Sequence, residues 1–147
     1  MNNSPNEFEI HATEALIAND ARFTRTRKSI LVLLKKTSRP LTVADISNIL
    51  PEIAQSSLYR NLILLENAGL IKRFVTENEF AYYELSEELL GHHHHLRCSS
   101  CGTVIDIELT KDVEDALHKL EKTLSKKHFF RDIDHHLDFV GQCKNCS

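Results

Sequence analysis

Every cysteine in this chain belongs to one of two pairs with the same spacing, Cys98-x-x-Cys101 and Cys143-x-x-Cys146. Two such pairs can set four thiolates tetrahedrally around one zinc ion at roughly 2.3 Å. A closed four-sulfur shell leaves no position for substrate, so the site it makes is structural. The 41 residues between the pairs exceed a ribbon loop but leave room for a helix. Two disulfides are the competing reading, and a reducing cytosol disfavours them. A thioredoxin-like redox pair would need a surrounding βαβ pattern, which is missing here.

Just ahead of the first pair stand His92, His93, His94 and His95. Their internal position argues against a purification-tag remnant. Along an extended segment side chains alternate between faces, so His92 and His94 point one way and His93 and His95 the other. One short segment can thereby feed two imidazoles to each of two metal sites. Glu84, Asp106, Glu108, Glu114, His135 and His136 are further donors. Mixed imidazole and carboxylate ligands suit zinc, iron(II) or manganese. His135 shares strand parity with Ile133, Leu137 and Phe139, which turns it inward. His11, His118 and His128 stand singly and are read as surface or local capping residues.

The elements that must position these groups follow from periodicity and breakers. Residues 10–19 and 26–36 have helical spacing, and Pro40 ends the second stretch because the residue before proline is driven out of the helical region. Thr42-x-x-Asp45 resembles a capping box opening a helix with Ile46, Ile49 and Leu50 on its apolar face; Pro51 stops it. A further helix over 56–65 closes at Gly69. Its Leu58, Leu62 and Leu65 fall within about 60° of one another and face a core, while Ser56, Tyr59, Arg60 and Ile63 look outward. Two helices joined by a tight connection make a helix-turn-helix candidate. Strand-like runs at 70–75 and 80–85 flank a polar turn and form its wing. Beyond Gly91 come a strand at 103–108, a helix at 110–127 with Val113, Leu117, Leu120 and Leu124 along one face, and a strand at 132–142. These readings give an α+β fold: a winged helix-turn-helix over 1–85, a hinge over 86–91, and a small α/β domain over 92–147 carrying the structural zinc.

Charge separates along the same line. The net charge is −3 and the pI near 6.3, yet residues 22–39 carry seven bases (Arg22, Arg25, Arg27, Lys28, Lys35, Lys36, Arg39) and no acid. Residues 77–114 carry nine acids against Arg97 and Lys111. The first segment suits phosphates and the second cations; two unlike solvated faces are the plainer alternative. No run approaches the ~20 apolar residues of a membrane span. The N-terminus has no basic segment followed by an apolar one, so a cytoplasmic protein is expected.

Taken together, HHHHLRCSSCGTVID, VGQCKNC and SSLYRNLILLENAGLI resemble the ferric uptake regulator (Fur) family over roughly residues 15–146. The resemblance implies a homodimeric, metal-dependent repressor that binds palindromic operators and controls metal-homeostasis genes, with neither membrane nor small organic substrate as partner. It matches Ser57, Tyr59 and Arg60 to the recognition helix, Arg22 to a minor-groove contact and Arg27 to a base near phosphate. The four cysteines match the structural zinc. Glu84, His93, His95 and Asp106 match a hinge-proximal sensing site. His92, His94, Glu114 and His135 match a second site, with Glu108 the fallback for Glu114. Pro40 stands where many relatives place a sensing-site histidine, which argues against the peroxide-sensing branch. Four uninterrupted histidines lean toward the zinc uptake regulator (Zur) branch. The implied regulatory metal is zinc or iron(II), with manganese third. A zinc metalloenzyme is the alternative from another class, but there is no HExxH or comparable activating motif, and an enzyme leaves the basic N-terminal helices unexplained.

Overall fold

The computed structural model describes residues 5–147; residues 1–4, the start of the segment read for a leader, lie outside the described residues. The chain divides into two compact units, residues 1–92 and 93–147.

The first unit begins with α1 (Pro5–Ile17) and α2 (Arg25–Lys36). Thr24 caps α2, its hydroxyl accepting the Arg27 N–H, so one orphan donor of the first turn is satisfied. The two-residue strand β1 (Leu41–Thr42) leads into α3 (Val43–Ile49). The capping box is present in full: the Asp45 N–H donates to the Thr42 hydroxyl at 3.1 Å, and the Thr42 N–H donates to the Asp45 carboxylate at 2.9 Å. α4 (Gln55–Asn67) follows. Its end uses Gly69 at φ +72°, where a side chain would be strained. The Leu70 N–H reaches back to the Leu65 carbonyl and the Gly69 N–H to that of Glu66, a Schellman closure that turns the chain into β2.

β2 (Ile71–Val75) and β3 (Ala81–Leu85) form the wing, and β3 also pairs with β1, so the sheet order is β1-β3-β2, all antiparallel. β1 was too short for periodicity to reveal. The core of this unit gathers Leu16, Ile30, Leu31, Leu41, Ile46, Leu58, Leu62, Leu65, Leu70 and Leu85, each almost fully enclosed. Burial of one such side chain contributes about 1.5–3 kcal/mol. The segment expected as a hinge, residues 86–91, contains the helical turn α5 (Glu87–Leu90). Its Leu89 and Leu90 pack against this same core, and the division between the two units falls between His92 and His93.

The second unit holds β4 (His94–Cys98), β5 (Val104–Ile107), α6 (Lys111–His128) and β6 (Asp138–Gly141). The sheet order is β5-β4-β6, with β5 antiparallel and β6 parallel to the central strand. The strand expected over 132–142 is confined to β6. Residues 133–137 lie outside the ladder, yet Ile133, His135 and Leu137 are half-buried while their neighbours are exposed, so the alternation persists without strand pairing. On α6 the expected apolar face is open: Val113 is 46% and Leu120 51% exposed. No helix among the described residues is long and apolar enough to cross a membrane.

Candidate functional site

β4 is the axis of the metal-binding chemistry. Its C-terminal end delivers Cys98, the tight turn that follows delivers Cys101, and the chain beyond β6 returns Cys143 and Cys146; one ligand atom from each lies within 4.8 Å of the others. None of the four is in a disulfide. The Cys101 and Cys143 sulfurs are 3.8 Å apart. The edge of a tetrahedron with 2.3 Å metal–sulfur bonds is also roughly 3.8 Å, so the spacing fits zinc and is far beyond an S–S bond.

The thiols are not equivalent. Backbone N–H groups at Cys101 and Cys143 hold the Cys98 thiol down at about 6. The Thr103 hydroxyl, 3.1 Å from its sulfur, lowers Cys101. The Cys143 sulfur pushes Cys146 up to about 12. Adjacent thiolates resist ionising together, and a cation among them removes that resistance.

The histidine tract splits by strand parity. His94 is 2% exposed and its Nε2 lies 2.9 Å from Glu114 Oε1. The other oxygen of Glu114 is 3.3 Å from His135 Nε2. The His94 and His135 rings stack at 5.2 Å, 21° from parallel. Glu114 sits in the first turn of α6, where its charge suits the positive end of the helix dipole. Glu108, the fallback ligand, follows β5 and belongs to none of the donor groups among the described residues. His92 closes the first unit, 3.7 Å from Glu87 through Nδ1.

His93 and His95 take the opposite parity, with rings 5.1 Å apart. Strand register puts Asp106 of β5 on one side of His95 and Asp138 of β6 on the other. His95 Nε2 is 3.8 Å from Asp106 and its Nδ1 is 3.4 Å from Asp138. Glu84, in β3 of the first unit, is a buried carboxylate, 5% exposed, in register with Lys72 of β2. Pro40 is buried in the first unit.

Three carboxylates escaped the sequence reading: Asp138, Glu121 and Asp134, the last beside His135 in the chain. Asp138 needed the parallel β4–β6 register, which a single sequence does not reveal. Glu121 could have been found: it lies seven residues after Glu114, two helical turns along one face. Its Oε1 is 2.5 Å from His135 Nδ1. That contact holds the His135 imidazolium above its ordinary value against the downward pull of burial. His118, read as a solitary surface residue, sets its ring edge-on to His135 at 5.7 Å.

In the first unit, α4 turns Ser56, Tyr59, Arg60 and Ile63 to solvent, with Tyr59 45% exposed. Ser57 is half-buried, and its carbonyl accepts from the Asn61 amide at 2.8 Å. Arg22 is exposed. Arg27 is not a free surface base: its Nε donates to Asn61 Oδ1 at 3.0 Å, and its guanidinium also donates to the Arg22 carbonyl. It therefore ties α2 to α4.

A wing beside an outward-facing polar helix, followed by a small α/β unit with a four-thiolate cluster and histidine–carboxylate groups, is the architecture of a winged-helix metalloregulator. Comparison with known proteins gives the family. The profile of the ferric uptake regulator family matches residues 18–140, and the chain belongs to that family. It is 32% identical over 124 residues to the ferric uptake regulation protein of Bacillus subtilis, covering 81% of this chain and 80% of that protein. Among solved structures, the Vibrio cholerae ferric uptake regulator is similar with a TM-score of 0.70 at 26% identity, covering 89% of this chain and 98% of that one. The ferric uptake regulator of Francisella tularensis, solved with iron, gives 0.66 at 27% identity, covering 85% and 93%.

Proposed function

We propose that this protein is a transcriptional repressor that binds palindromic operator DNA as a homodimer when zinc or iron(II) occupies its histidine–carboxylate sites. The observation that carries this reading is the division of labour on β4. Alternate histidines serve two donor groups, and the same strand ends in the cysteine cluster. The chemistry is binding and structural: a four-thiolate shell has no open position for a substrate.

Each part of the chain has its role in this reading. Cys98, Cys101, Cys143 and Cys146 hold a structural zinc that staples β4 to the chain beyond β6. His93, His95 and Asp106 form the sensing site and Glu84 joins them, matched by the resemblance, with Asp106 standing in where Pro40 replaces a histidine. His92, His94, Glu114 and His135 form the second site. Tyr59 and Arg60 read base edges, Ser57 and Arg27 set the recognition helix, and Arg22 engages the backbone or minor groove. The open face of α6, with Val113, Leu117, Leu120 and Leu124, packs against its copy in the dimer. A metal can shift a conformational equilibrium only through differential affinity for the states it links.

The test is metal analysis of the purified protein combined with mobility shifts on a palindrome selected from random duplexes. Zinc, iron(II) and manganese are compared under anaerobic conditions. Tight, sequence-selective binding is expected with zinc or iron(II) and not in chelator. Binding that is indifferent to metal refutes the proposal.

A further inference from the structure

Two carboxylates of α6 approach the two nitrogens of one imidazole. Glu114 Oε2 is 3.3 Å from His135 Nε2, and Glu121 Oε1 is 2.5 Å from His135 Nδ1. Neither the resemblance nor the donor pattern in the sequence gives Glu121 a role.

Distances separate the two jobs. Nitrogen and oxygen ligands bonded to one zinc at ~2.0–2.1 Å lie roughly 3.3 Å apart across a tetrahedron. Glu114 Oε2, at 3.3 Å from His135 Nε2, stands at that spacing, while its Oε1 hydrogen-bonds His94 Nε2 at 2.9 Å. The Glu121 contact is too short for two ligands of one ion and is shorter than even the usual charge-assisted N–H···O bond of about 2.7–2.9 Å, which leaves a hydrogen bond as its only reading. An ionised carboxylate can only accept, so Nδ1 of His135 carries the proton. Once a metal displaces the proton at Nε2, the ring keeps its proton at Nδ1 and presents its lone pair at Nε2, on the Glu114 side.

We propose that Glu121 is the positioning residue of the His94–Glu114–His135 metal site: by accepting the Nδ1 proton of His135, it fixes the tautomer and ring orientation that leave Nε2 for the metal. This rests on the reading of those three residues as metal ligands. The surroundings reinforce the restraint. His94 stacks on the ring, His118 abuts it edge-on, and Asp134 Oδ1 accepts the His135 backbone N–H at 2.8 Å. Outer carboxylates that orient a ligating histidine typically change metal affinity by about 10- to 100-fold. Glu121, Asp134 and His135 also form a donor group of their own. A further ion held on Nδ1 is the rival arrangement.

The experiment titrates cobalt(II) into full-length protein whose cysteine site retains zinc, following visible absorption and bound equivalents. The parent is compared with Glu121→Ala, Glu121→Gln and Glu114→Ala, and 15N NMR of the metal-free protein, in alkaline solution where the ring is neutral, reports the tautomer of His135. Glu121→Ala is expected to bind as many cobalt ions as the parent, one of them about 10- to 100-fold more weakly, with the Nδ1–H tautomer lost to a mixture. Glu121→Gln should recover part of the affinity, since its amide oxygen still accepts. Parental affinity in Glu121→Ala, while Glu114→Ala loses one equivalent, overturns the positioning role alone. Loss of a whole equivalent in Glu121→Ala, with the Glu114→Ala deficit separate from it, makes Glu121 a ligand of the rival ion and also overturns it. A Glu114→Ala variant that binds as many ions as the parent overturns the metal reading of the site, and this proposal with it.

Discussion

At the residue scale the cysteines set the strictest terms. With Cys98 held at about 6 and Cys146 pushed up to about 12, neutral solution leaves Cys98 largely ionised and Cys146 protonated. Assembly of the four-thiolate shell therefore releases protons, and zinc should be retained more tightly as pH rises. Chelator-driven zinc loss measured between pH 6 and 8 should be fastest at pH 6; a flat profile would contradict four-thiolate ligation. Structural zinc can supply on the order of 10 kcal/mol of coupled folding energy. Cys98→Ser or Cys143→Ser is accordingly expected to lose zinc and the ordered second unit together, seen by metal analysis and circular dichroism. On the DNA side, Arg22 and Arg27 should part ways despite their common charge. Arg22→Ala should weaken binding on all sequences and reduce its salt dependence. Arg27→Ala additionally removes the tie to Asn61 at 3.0 Å, so it should also lower the unfolding midpoint, which Arg22→Ala should not. Tyr59→Phe and Tyr59→Ala probe the outward face of α4, where loss of a base contact costs about 1–3 kcal/mol of discrimination.

At the element scale, the first unit was the more readable from sequence because its signals are local. Capping chemistry at Thr42 and Asp45, leucines at helical spacing and the glycine after α4 each depend on residues within a few positions of one another. The second unit depends on register. Parity alone separated His94 from His95, but only the parallel pairing of His95 with Asp138 brings that carboxylate beside the ring. The expected strand over 132–142 failed for a related reason. Its alternation reflects one-sided burial, with His135 turned to Glu114 and Glu121 of α6, and alternating burial does not require a hydrogen-bonded ladder. Periodicity also missed the helical turn inside the segment expected as a hinge, where Leu89 and Leu90 pack against the core of the first unit. The capping box at α3 supplies a quantitative test. Burial pushes the Asp45 carboxyl up, but the Thr42 N–H and hydroxyl and the Arg39 guanidinium outweigh it and hold the group below its ordinary 3.8. A depressed folded value stabilises the protein above the unfolded value and is lost as pH falls through the folded one. Asp45→Asn should cost about 1 kcal/mol near neutrality, reduced by solvent screening at this partly exposed site. The parent and variant should converge in thermal midpoint toward pH 3.

At the scale of the whole molecule the question is how a metal ion held in one place alters DNA binding in another. The two donor groups are fed by histidines of opposite parity on one strand, so they can be disabled separately without breaking the sheet. In the proposed reading His95, flanked by Asp106 and Asp138, belongs to the sensing side, and His94, beside Glu114, to the second site. Removing the His95 imidazole leaves the cysteine cluster, the β4 backbone pairing and the exposed α6 face in place. His95→Ala is therefore expected to remain a folded, zinc-stapled dimer by sedimentation and metal analysis. What it should lose is the gain in operator affinity on adding metal. A coupling of about 1–3 kcal/mol corresponds to a 5- to 150-fold tightening in the parent, and the variant should show less than a two- to threefold change. His92→Ala should retain most of the parental response, because its parity assigns it to the other side. The same titration on a duplex of unrelated sequence separates regulation from general phosphate attraction, which metal loading should change little. If the His95 variant tightened on the operator as the parent does while the His92 variant did not, the sensing site would lie with His94, Glu114 and His135, and the face of β4 that communicates with DNA would be the opposite one.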